Sequence, residues 1–162
     1  MEFFRKISHT KLLTFILSLG CFLRTYQYFY NRSFWGDEAH LAYKIISEPL
    51  LNLIIYQGGQ AAAPLFMLST RLLTHFFGSS ELILRLLPFL CGLASVFIFA
   101  KVTRFFLSKP YQLIAILLFC VLDNLIYYCS ELKQYQLDIT LSLVILWVYL
   151  HYLATPSSKR FL

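Results

Sequence analysis

Two acids stand side by side in the segment FWGDEAH: Asp37 and Glu38, between Trp35 and His40. A carboxylate held against an apolar wall loses hydration, which raises its pKa and makes it a better proton acceptor. The plainer reading is a helix N-terminus, where acids offset the positive end of the macrodipole, and spacing alone favours it. A second polar set occurs in YYCSELKQYQLD, with Glu131, Lys133, Tyr135 and Asp138. Arg85 stands between the two sets, where an apolar stretch begins. Arg85 and Lys133 are side chains that bind phosphate at headgroup depth; their plainer role is to snorkel toward water. Acids and bases gathered on one face give the functional reading more weight than any single charge does.

The elements that must position these residues are apolar. Of the 162 residues, 59% are hydrophobic and 14% charged, against about 25% charged in a soluble domain. Lipid is the natural solvent for such a chain. The net charge of +6 comes from basic clusters between apolar runs, a topology signal rather than a nucleic-acid footprint. Cys21, Cys91, Cys120 and Cys129 show no CxxC spacing and read as small buried hydrophobes. The basic start and the apolar run Leu12–Leu23 lead into RTYQYFY with no small-residue cleavage site, so they read as an uncleaved first span.

Five apolar stretches occur, at about 11–30, 61–77, 86–106, 111–128 and 136–153. The second is short and carries Arg71 and His75 on one helical face, with Leu65, Leu68, Leu72 and Phe76 on another. This is the pattern of a helix lying in the membrane interface. The segment 37–53 has similar mixed polarity. With four spans, the basic N-terminus (Arg5, Lys6, Lys11), the loop Lys101–Lys109 and the tail (Lys159, Arg160) share one side, as the positive-inside rule requires. Five spans would separate them. The expected architecture is therefore all-α and integral to the membrane. It has about four transmembrane helices, and one or two juxtamembrane amphipathic helices in an outer loop at about 31–84. Both termini are cytoplasmic, and residues 1–162 form a single membrane domain.

Three segments in series, LRTYQYFYNRSFWGDEAHLA, QAAAPLFMLSTRLLTHFFGSSELILRLLPFLCGL and YYCSELKQYQLD, resemble the GT-C superfamily of membrane glycosyltransferases, closest to its RgtA-like and protein-mannosyltransferase-like bacterial branch. The resemblance covers about residues 15–150. It implies an enzyme of the bacterial inner (plasma) membrane that moves a sugar from a polyprenyl-phosphate donor to an acceptor glycan, lipid or protein on the outer face. By the same resemblance Asp37, with Glu38 beside it, is the catalytic acid pair. Arg85 and Lys133 stabilise the leaving phosphate, within a substrate-binding set that includes Glu131, Tyr135 and Asp138. The family's Pro-Pro-Leu is here Ala63, Pro64 and Leu65. Some relatives add a divalent metal; the sequence supplies no clear ligand set, so the cofactor stays open.

Members of the superfamily are several times longer, so the chain resembles the N-terminal part of such an enzyme. The alternatives are a fragment, a truncated gene product or half of a split transferase, the last completed by transmembrane segments from another chain, and the carrier-lipid groove and much of the acceptor site are expected to need the further spans. Two other readings compete: a transporter subunit with Arg24, Asp123 and Asp138 on an ion path, and a non-catalytic membrane assembly partner. Nucleic acid is not an expected partner.

Overall fold

A computed structural model describes residues 8–55 and 62–154. Arg5, Lys6, Lys159, Arg160 and the GGQA stretch at 58–61 lie outside them. The described residues are helical with no strand: α1 (His9–Tyr30), α2 (Gly36–Ser47), α3 (Leu50–Ile55), α4 (Pro64–Phe77), α5 (Glu81–Leu84), α6 (Leu86–Thr103), α7 (Lys109–Val121), α8 (Asp123–Tyr128) and α9 (Tyr135–Ala154).

Two of these are long and apolar enough to cross a membrane, α6 and α9, with mean hydropathies of 2.0 and 1.7. The expected count of four does not come through whole. At 22 residues, α1 has the length, but Lys11, Arg24, Gln27 and three threonines dilute its apolarity. The apolar run 111–128 is interrupted, because Leu122 is extended (ψ 117°) and separates α7 from α8. The 13 residues of α7 make about 20 Å of helix at 1.5 Å per residue, short of a hydrocarbon core of about 30 Å.

The break has a physical cause in α1. A helix end leaves its last carbonyls without donors. Arg24, fully buried, supplies them: its Nη1 donates to Cys120 O at 3.2 Å and its Nη2 to Phe119 O at 3.2 Å. Nη1 also donates to Gly20 O within its own helix. Two glycines let the backbones close around this arginine. A Cβ on Gly20 would fall 2.5 Å from Cys120 Sγ, and one on Gly92 would fall 2.5 Å from Cys129 Cβ. Arg24, which the transporter reading placed on an ion path, is bonded here to the carbonyls of Gly20, Phe119 and Cys120.

The helix pair α6/α9 runs in parallel. Near the start, Gln136 Nε2 donates to Ser95 Oγ and Thr140 Oγ1 to Cys91 O; near the far end, Lys101 lies over Trp147. One apolar core joins α1, α6 and α7 through Leu13, Ile16, Val96, Ala100, Ile116 and Cys120. A second, formed by Leu41, Ile45, Leu53, Phe66, Met67, Leu84 and Leu132, sits under α2–α5. The two segments expected to be amphipathic, 37–53 and 61–77, are helical as α2 with α3 and as α4. Helix α2 stops at Ser47, two residues before Pro49, and Arg71 of α4 donates to the orphan carbonyls Ile45 O (2.6 Å) and Ile46 O at its end. Proline at N1 opens α4 and Gly78, at φ +89°, closes it, as the steric preferences of these residues dictate.

Candidate functional site

The second core positions a polar cluster. Trp35 caps α2, so Asp37 and Glu38 fall in its first turn, where the macrodipole favours negative charge. Consecutive helix residues project about 100° apart, and the two acids have opposite fates. Glu38 turns inward and is fully buried. Arg85 grips it with two donors, Nε to Oε1 at 3.3 Å and Nη2 to Oε2 at 3.0 Å. The backbone N–H of Leu132 donates to Oε1 at 2.7 Å, and Arg32 Nη2 forms an ion pair with Oε2 at 3.2 Å. Asp37 stays half-exposed, its side chain at 47%, with Lys133 Nζ 3.4 Å from Oδ2.

Arg85 owes its place to the junction of α5 and α6, where it caps both at φ −90°, ψ 0°. Its Nη1 donates to Arg32 O at 2.6 Å, and its guanidinium lies 4.4 Å from the centroid of the Phe34 ring. Its side chain is only 1% exposed. Buried and bonded in this way, Arg85 is engaged with Glu38 and the 31–35 linker, which leaves Lys133, its side chain 15% exposed, as the less enclosed of the two cations that the sequence singled out. The ammonium of Lys133 also lies 5.6 Å from the Trp35 ring centroid.

Glu131 is buried beside this network. Burial pushes its carboxyl above the usual carboxylate range and the charge on Glu38 pushes it further; Arg32, Lys133 and a hydrogen bond from Trp35 pull the other way. Its Oε2 has no hydrogen-bond partner among the described residues. Gln134 Oε1 accepts from Ala63 N, which ties the 131–134 turn to the start of α4. Tyr135 and Asp138 are exposed in the first turns of α9, the Tyr135 ring packing 5.2 Å from that of Tyr128.

The structure thus brings together Asp37, Glu38, Arg85, Glu131 and Lys133, and puts Tyr135 and Asp138 on the adjoining helix. Asp123, expected within a span, is exposed at the start of α8. Sequence reasoning missed Arg32, whose guanidinium bridges Glu38 and the face of Tyr127, 4.6 Å from the ring centroid. Its signal was its place six residues before Glu38 in NRSFWGDE. No group of three or more His, Cys, Asp or Glu residues is placed to hold a metal ion among the described residues.

Among the described residues, which are helical with no strand and include two helices suited to a bilayer, the site pairs a half-exposed carboxylate with a lysine above a locked Glu–Arg pair. Comparison with protein-family models, with curated proteins and with solved structures finds no match.

Proposed function

We propose that the chain is the membrane module of a glycosyltransferase of the superfamily it resembles, transferring a sugar from a polyprenyl-phosphate donor to an acceptor on the outer face. The observation that carries this reading is the division of labour between adjacent acids. Glu38 is locked by Arg85 and Leu132 N–H, while Asp37 is half-exposed and 3.4 Å from Lys133. Asp37 takes the proton of the acceptor hydroxyl as that oxygen attacks the anomeric carbon. The bond from that carbon to the phosphate oxygen breaks, and polyprenyl phosphate leaves with the electron pair. Lys133 swings from Asp37 to the leaving phosphate, where a positioned cation stabilises developing charge. Glu38 and Arg85 act as positioning residues: they fix the first turn of α2 against the 131–133 turn.

Membrane placement is supported by α9, an apolar helix of which only 6% of the apolar window is buried. In water, such a face would be an exposed patch that soluble proteins avoid; in lipid it is solvated. On this reading α1, α6, α7 with α8, and α9 are the four spans, and α2–α5 lie at the outer interface. The basic loop Lys101–Lys109 and both termini face the cytoplasm of the inner membrane.

The test is transfer from radiolabelled polyprenyl-phosphate sugar in proteoliposomes, with acceptor membranes and any completing subunit supplied by extract. Asp37→Asn is expected to reduce transfer by about 10²–10⁴-fold, the usual contribution of a positioned base, with membrane insertion unchanged. Transfer at the wild-type rate would remove Asp37 from the mechanism. A second reading, a non-catalytic assembly partner, is favoured by the same uncovered face of α9. It predicts stable capture of other transmembrane helices and no transfer in any mixture.

A further inference from the structure

The far end of α6 and α9 is built from different residues. Lys101 in the last turn of α6, Arg104 and Phe105 just beyond it, and Trp147 and His151 of α9 line a cavity of about 340 Å³. The Lys101 ammonium lies 4.7 Å from the Trp147 ring centroid. The His151 ring stacks on Trp147 with centroids 6.2 Å apart and planes at 15°. Lys101 and Arg104 are exposed. Every described Asp and Glu lies within 31–85 or 122–138, toward the opposite end, and the ion pairs among the described residues are all there.

The helix ends do not neutralise these cations. Each C-terminus carries about −0.5 charge, so two contribute about −1 against the two full charges of Lys101 and Arg104. That end stays net positive, as the binding of an anionic group requires.

We propose that this cavity binds the phosphodiester headgroup of an anionic phospholipid in the leaflet at that end. The planar fork of Arg104 suits two phosphate oxygens, Lys101 is the second cation, and the Trp147 indole sits at the boundary between headgroup and acyl chain. The walls argue for a lipid over free phosphate. Phe105 and Trp147 are apolar, and the exposed Phe97, one turn before Lys101 on the same face of α6, continues toward the bilayer interior, where an acyl chain would lie. The inference rests on the membrane-spanning reading of α6 and α9 and is independent of glycosyl transfer.

The test uses fluorescence. The chain has two tryptophans, so Trp35→Phe leaves Trp147 as the sole reporter. The protein is reconstituted in phosphatidylcholine vesicles containing a small, equal fraction of either brominated phosphatidylglycerol or brominated phosphatidylcholine. The expected result is stronger quenching of Trp147 by the anionic lipid. Lys101→Gln and Arg104→Gln should each lower that preference by about fivefold, the weight of one cation at an anionic surface. Inorganic phosphate at constant ionic strength should leave the preference intact. Equal quenching by the two brominated lipids overturns the site. Loss of the preference in inorganic phosphate reassigns it to free phosphate and overturns the lipid. Absence of quenching by either lipid removes Trp147 from the bilayer, and the membrane reading falls with the proposal.

Discussion

The two ends of the α6/α9 pair use the same kinds of charged side chain in opposite ways. At the α2 end, Arg85, Arg32 and Lys133 meet Glu38 and Asp37 within 3.4 Å, and the innermost pair is shut away from solvent. At the Lys101 end, basic residues stand exposed beside aromatic rings, with no acid among the described residues. A buried ion pair is costly to assemble and more costly to leave half-made, so the first arrangement fixes where four segments meet. Exposed cations contribute little to folding, so the second leaves its charge for a partner outside the chain. One end holds the fold together, and the other is turned toward its surroundings.

The sharpest way to break this contrast is to remove one charge from each end. Glu38→Ala strands Arg85 in a buried site and is expected to cost about 3–5 kcal/mol, the usual result of deleting one partner of a buried pair. Replacing Arg85 as well, in Glu38→Ala/Arg85→Met, should recover part of that loss, because no uncompensated charge remains. Lys101→Gln should change stability by no more than about 0.5 kcal/mol, as surface substitutions do. Unfolding by denaturant in detergent micelles measures all three. Similar losses for Glu38→Ala and Lys101→Gln would abolish the distinction between the ends.

A smaller effect is expected midway, where α6 meets the turn at Cys129. Gly92→Ala would set a methyl 2.5 Å from Cys129 Cβ. The neighbouring atom is rooted on the backbone, so the turn itself must shift, at about 1–3 kcal/mol for an overpacked contact. Gly36→Ala is the control, since an added Cβ there meets nothing within 4 Å. If the two alanines have equal thermal midpoints, the close approach of α6 to this turn is wrong.

How far this was legible in the sequence differs by element. Apolar length was enough to locate α1, α6 and α9, whose bounds fall within a few residues of the predicted spans. The amphipathic pattern of PLFMLSTRLLTHFF gave α4, whereas the segment 37–53, read as one stretch, is divided at Pro49 into α2 and α3. The break at Leu122 was hidden, because QLIAILLFCVLDNLIYY contains neither glycine nor proline. It exists because Arg24, almost a hundred residues earlier, provides donors for Phe119 O and Cys120 O. Local pattern carries no trace of a donor delivered from another helix. The site shows the same limit. That Asp37 and Glu38 open a helix could be read from FWGDEAH, but which of them turns inward could not. That is settled by Arg85, 47 positions away in sequence, and by the Leu132 N–H. The same pairing engages the arginine that the sequence had offered to a phosphate.

The subtlest contrast between the ends is in pH dependence. Glu131 belongs to the α2 end, and its carboxyl is raised by burial first and by Glu38 second, against Arg32, Lys133 and Trp35. In the unfolded chain a glutamate titrates near about pH 4.3. Below that value both states hold the proton, and Glu131 does not distinguish them by charge. As pH rises, the unfolded chain releases its proton first while the folded chain still holds one. Stability then falls with pH until the raised folded value has been passed, because the native state binds more protons than the unfolded one. Glu131→Gln removes this slope. Relative to wild type, the glutamine variant should gain stability as pH rises above about 4.3, the direction that linkage requires of a raised carboxyl. Chemical denaturation at a series of pH values measures the difference directly. Lys101→Gln, at the end with no described acid, should track wild type across that window. A Glu131→Gln curve parallel to wild type would mean that Glu131 is hydrated in the folded protein. The α2 end would then be less closed to water than its Glu38–Arg85 pair implies.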